Sequence, residues 1–62
     1  MKTQSQIIAN LIDKVGGQKK LIEITKIPQS RFSEWLHEKN KISLVRILEI
    51  CEKCNVNLKD LL

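Results

Sequence analysis

Tyrosine is absent from this chain, and only two aromatic side chains occur, Phe32 and Trp35. No alternation of apolar and polar residues with period two runs beyond the one short stretch at 53–59. Half-buried strands need that alternation and favour aromatic residues, so a sheet is not expected. Glycine occurs twice and proline once. No linker, repeat or low-complexity tract divides the chain. No apolar run approaches the roughly 20 residues of a membrane span, and no long apolar core marks a targeting segment. A cytoplasmic protein is the expectation.

Groups that carry chemistry are equally sparse. Cys51 and Cys54 form a Cys-x-x-Cys pair, but histidine occurs once, at His37. Structural zinc takes four ligands, and the pair is short of partners. A redox pair needs a helix N-terminus, whereas this one falls near the end of a helical pattern. Cys51 is read as core filler and Cys54 as a semi-exposed thiol. There is no Ser/His/Asp arrangement, no phosphate-cradling loop and no set of converging carboxylates. No enzyme is expected, and no cofactor, metal or small-molecule ligand is called for.

What remains is helical. Leu, Ile, Lys, Glu and Gln dominate the 62 residues, and most of them suit helices. A chain this short buries about 60% of the surface its unfolded form exposes, so it makes one domain, residues 1–62, with little stability in reserve. Thr3 and Gln6 have the spacing of a capping box. Ile7, Ile8, Leu11, Ile12 and Val15 then form one apolar stripe, and Gly16 supplies a left-handed stop. The first helix is expected over 4–15. A second opens at Gly17 and Gln18 and buries Leu21, Ile22 and Ile24. Lys19 and Lys20 oppose the dipole in its first turn, either beside a phosphate that shares the helix terminus or at a solvated site.

Lys26, Ile27 and Pro28 form a three-residue turn. Pro28 is expected at the first position of a third helix, 28–37, whose inward face is Phe32, Trp35 and Leu36. That face makes Trp35 a core residue and not a platform for stacked bases. Gln29, Ser30 and Arg31 cluster at the leading end of this helix, where they can hydrogen-bond to base edges or phosphates. Residues 38–42, EKNKI, form a basic loop. Ser43 caps a fourth helix, 44–54, with Leu44, Ile47, Leu48 and Cys51 as its core face. Asn57 caps a closing segment, 58–62. The fold class expected is all-α, a compact five-helix bundle in which helices 2 and 3 form a helix-turn-helix.

Charge follows the same division. The chain carries a formal +4. Residues 18–42 hold six Lys/Arg against three Glu, a net +3, while 43–62 are neutral. The basic excess coincides with the helix-turn-helix and the loop after it. Such a patch favours polyanions through counterion release.

The order Gly16-Gly17-Gln18, Leu21, Ile27, Pro28-Gln29-Ser30, Phe32-Ser33, Trp35-Leu36, followed by ISLVRILEICEKCNVNLKDLL, resembles the lambda-repressor-like, Cro/repressor-type superfamily of bacterial and phage regulators. The likeness covers roughly residues 5–62. It implies a sequence-specific binder of double-stranded operator DNA, a Cro-like repressor of transcription reading the major groove with its third helix. The resemblance puts Gln29, Ser30 and Glu34 at base edges, with Ser33 and Arg31 at bases or flanking phosphates. It puts Gln18, together with Lys19 at the same terminus, on one stretch of backbone. Lys39, Asn40 and Lys41 fall on a second.

Chemistry agrees with those roles. Glutamine pairs bidentately with adenine, arginine grips guanine or phosphate, and glutamate accepts from cytosine. Glu34 can instead pair with Arg31, three residues before it. The resemblance also implies a homodimer through the fourth and fifth helices, with Ile50, Val56, Leu58 and Leu62 at the contact. The competing reading is a protein-interaction module, such as an antitoxin or antirepressor, using the same apolar face. Three positions depart from the family pattern. Lys26 stands where a glycine is usual, Pro28 replaces a Ser/Thr cap, and Ile22 replaces a small residue between helices 2 and 3.

Overall fold

The computed structural model describes residues 3–62. Four α-helices follow one another: α1 Gln4–Val15, α2 Gln18–Thr25, α3 Gln29–Leu36 and α4 Leu44–Cys54. A short 3-10 turn, Leu58–Leu61, closes the chain. The expected fifth helix is therefore a single tight turn. Asn57 starts four residues held by i→i+3 bonds.

Local chemistry explains each boundary. The Thr3 side chain accepts from the Gln6 N–H, and the Ser43 side chain accepts from the Arg46 N–H. Gly16 ends α1 with a left-handed backbone, and the Gly16 and Gly17 N–H groups return to Asp13 and Ile12. Asn55 ends α4 in the same way, its N–H and that of Val56 bonding to Glu52 and Cys51. Pro28 is the cap of α3 and not its first residue. Its ψ of 153° is extended, and its carbonyl accepts from Arg31 and Phe32 at 3.0 and 3.5 Å. The ring fixes φ, which suits either position, and leaves ψ free to make the turn.

The core is built from Ile8 and Leu11 of α1, Leu21 of α2, Ile27, Phe32 and Trp35 around α3, Ile47, Ile50 and Cys51 of α4, and Leu61. Phe32 and Trp35 meet edge to face, with ring centroids 5.4 Å apart. α1 packs against both α2 and α3, and α2 packs against α4. Asn10 of α1 donates to the Leu61 carbonyl at 3.1 Å and so holds the closing turn.

Three expectations about the core are corrected. Ile24 is 40% exposed, and Thr25 takes the buried place at 4%. Its hydroxyl donates to the Leu21 carbonyl at 2.8 Å and accepts from the Ile27 N–H at 3.3 Å, so a buried polar group is satisfied inside the turn. Leu44 and Leu48 are 62% and 46% exposed, because α4 turns its Ile47–Ile50–Cys51 face inward. Ile50, expected at a contact between copies, is 2% exposed and belongs to the core of one chain.

Lys26 holds a left-handed backbone, φ 62°, to make the turn between α2 and α3. The left-handed region costs a residue with a Cβ roughly 1–2 kcal/mol, which glycine escapes. Lys26→Gly is expected to stabilise the domain by about 1 kcal/mol, net of the extra freedom glycine gives the unfolded chain. For a domain this small that is a rise of about 4–8 °C in Tm, read by circular dichroism.

Candidate nucleic-acid interface

α3 has eight residues and one buried side. With Phe32 and Trp35 inward, Gln29, Ser30 and Arg31 emerge at its leading end, and all three are exposed. Ser33 and Glu34 lie one turn further on and are half-buried. Glu34 is paired with Arg31, Oε1 to Nε at 3.9 Å. Both side chains are about half in solvent, where such a pair is worth roughly 1 kcal/mol or less, so a phosphate can take Arg31 from it. The alternative considered for Glu34 is thus present in the free protein, and it leaves both groups available.

Two flanks adjoin this tip. On one side an open groove is lined by Gln18, Lys19, Ile22, Glu23 and Gln29, which brings the start of α2 beside the start of α3. Ile22, the bulky residue that departs from the family pattern, lines this groove together with the two glutamines. α2 opens at Gly17 with no side-chain cap, so its first turn keeps N–H donors without a capping partner. On the other side a shallow cleft runs from Arg31 past Asn40 and Lys41 to Ser43 and Arg46. Lys39 is exposed on the same loop. Base-edge and backbone candidates from three separate segments are therefore collected around one helix tip.

Two features of this surface have no local sign in the sequence. Arg46, in the first turn of α4, extends the basic cleft and is loosely paired with Glu49 at 3.9 Å. Glu38 ends α3 with φ 55°, and the N–H groups of Glu38 and Lys39 return to Trp35 and Glu34. This left-handed stop aims the loop at α4, and a glutamate there gives no glycine signal to find it by.

The expected dimer residues separate. Val56 and Leu58 are half-buried against the core, Leu62 is 57% exposed, and Ile50 is inside. The apolar surface that faces solvent on α4 is Leu44, Val45 and Leu48. No helix among the described residues is long and apolar enough to cross a membrane.

An all-helical unit whose second and third helices are joined by a three-residue turn, with a polar tip on the third, defines a helix-turn-helix protein. A family model described as the Cro/C1-type HTH DNA-binding domain matches residues 11–62. The chain belongs to that family, and it is a DNA-binding domain. Comparison with curated proteins and with solved structures gives no match.

The cysteines stand apart from this surface. Cys51 is buried and Cys54 half-buried, and both are free thiols. Burial pushes both thiols above the ordinary cysteine value, and the neighbouring Cys54 adds to the rise at Cys51. A raised value means the thiol, not the thiolate, is held through neutral pH. The stabilisation this gives is complete below the unfolded value and is lost as pH climbs through the folded one. The folded chain is expected to react with iodoacetamide at pH 8 far more slowly than the guanidinium-unfolded chain, measured by mass shift. Equal rates would contradict the burial.

Proposed function

We propose that the chain is a sequence-specific regulator of the Cro type that inserts the leading end of α3 into the major groove of an operator. The observation that carries the reading is the exposure of Gln29, Ser30 and Arg31 together at that end. In the groove Gln29 pairs with an adenine edge, and Ser30 and Ser33 bond to whichever neighbour offers a donor or acceptor. Arg31 reaches guanine or a flanking phosphate, and Glu34 accepts from cytosine. Gln18 and Lys19 hold one stretch of backbone, and Lys39, Asn40 and Lys41 hold the next.

Control in this reading comes from occupancy. A bound copy excludes polymerase or a competing regulator from the same DNA, which makes the protein a repressor. Two copies read a two-fold operator with half-sites about 34 Å apart. The apolar surface at Val56, Leu58 and Leu62, together with Leu44, Val45 and Leu48, supplies the contact between them. Ile50 contributes nothing to it directly.

A duplex selected from a random pool supplies the test. Its affinity is expected to fall steeply with salt, by about 0.9 log unit per log unit of salt for each phosphate neutralised. Salt-independent binding would point to an apolar protein contact instead. The Gln29→Ala, Ser30→Ala double variant is expected to lose discrimination against single-base changes. The loss should be about 1–3 kcal/mol for each bidentate pair removed, with the salt slope kept. Unchanged discrimination would mean that α3 does not read bases. Sedimentation of the complex is expected to give two chains per operator, and a single chain on a full site would remove the dimer.

A further inference from the structure

We propose that Gln4 is a positioning residue for DNA binding, which holds the loop between α3 and α4 so that Lys39 and Lys41 face the phosphates. The inference rests on the reading of that loop as a backbone contact.

Gln4 is the first residue of α1, far from the loop in sequence. Its Nε2 donates to the carbonyls of Trp35 and Asn40 at 3.1 and 2.7 Å. Its Oε1 accepts from the Ile42 N–H at 2.8 Å. Two donors and one acceptor meet two carbonyls and one N–H, a match that only one orientation of a carboxamide provides. The three bonds join the end of α3 to both sides of Lys41.

Little else holds this segment. Glu38 and Lys39 are tied back to α3 by their N–H groups, and Ser43 begins the cap of α4. Between them, among the described residues, the hydrogen bonds to the backbone are those of Gln4. Ile42 packs against the core and gives the loop a second anchor. The exposed residues that flank it, Lys39, Asn40 and Lys41, carry the charge and amide proposed for phosphates. A loop without the clamp still carries those groups but spends part of the bound state turned away from the DNA, so fewer phosphates are met on average. Gln4 thus acts on the phosphate grip and leaves the α3 tip alone.

The experiment uses the full chain, Gln4→Ala, Gln4→Glu, Lys41→Ala and the Gln4→Ala, Lys41→Ala pair, on a duplex selected from a random pool. Gln4→Ala is expected to lower the salt slope by about 1–2, at about 0.9 per phosphate lost. Discrimination against single-base changes should stay as in the parent. Faster hydrogen exchange at the Ile42 amide should accompany it. Lys41→Ala is expected to weaken binding roughly fivefold to tenfold at 0.1 M salt in the parent, and about twofold or less beside Gln4→Ala. Gln4→Glu keeps the acceptor for Ile42 and loses both donors, so it decides the question if the alanine variant does not fold. Its carboxylate repels the Trp35 and Asn40 carbonyls, so its salt slope is expected to fall at least as far as that of Gln4→Ala.

A parent salt slope in every folded Gln4 variant, or an additive double variant, overturns the clamp while leaving the DNA reading intact. A fall in base discrimination equal to the fall in affinity also overturns it, because the effect would then be general to the fold. Failure of the full chain to retain any duplex at low salt overturns both.

Discussion

Burial of Phe32 and Trp35 is the constraint on which the rest of the molecule depends. α3 is eight residues long, well below the roughly 12–15 at which an isolated helix holds together in water. Its shape comes from packing, and that packing is the edge-to-face aromatic pair set into the core with Ile8, Leu11 and Ile47. Each large apolar side chain contributes about 1.5–3 kcal/mol on burial, a large share of what a domain this small can have. Once these two positions point inward, a helix of two turns has little freedom left. Its other residues must face the solvent or the two flanking segments, and the polar tip follows from the apolar face.

Backbone strain is distributed in the same way. Left-handed residues sit at Gly16, Lys26, Glu38 and Asn55, one at the end of each helix. Glycine and asparagine adopt that geometry at little cost, and they stand at the ends of α1 and α4. Lysine and glutamate do not, and they bracket α3. The strained stops therefore lie on either side of the helix proposed to enter DNA. Strain at a binding segment persists because the surroundings over-determine it. Thr25 and Ile27 do this for Lys26, and Gln4 with Ile42 does it for the segment after Glu38.

Much of this was legible in the sequence because it is local. Thr3, Gly16, Ser43, Asn55 and Asn57 mark helix ends by chemistry that acts within four residues. The exposure of Gln29, Ser30 and Arg31 followed from the spacing of Phe32 and Trp35. The errors arose where one helix offers two apolar faces. In α4, positions 44, 45, 47, 48, 50 and 51 are all apolar, and periodicity fits both 44–47–48–51 and 47–50–51–54. The second set is the one that meets the core, which leaves Leu44 and Leu48 outside and takes Ile50 inside. In α2 a threonine displaced an isoleucine because its hydroxyl serves the turn. Gln4 could not be found at all, since its partners lie 31 to 38 residues away and nothing near it records them.

The division of labour proposed around α3 asks little of total charge. The formal +4 is small, but most of it lies between residues 18 and 42, and Lys19, Arg31 and Lys41 from that span line the two flanks of one tip. Counterion release depends on how many phosphates are met at once, and geometry sets that number as much as total charge does. A lysine on a floating loop meets a phosphate only after its ordering cost is met, while the same lysine on a held loop meets it directly. The clamp proposed for Gln4 would thus bear on electrostatic affinity although it carries no charge. It also separates two properties that are often mixed. In the proposed function, hydrogen-bonding groups on α3 set which sequence is preferred, and the rigidity of the segments beside it sets how strongly any sequence is held.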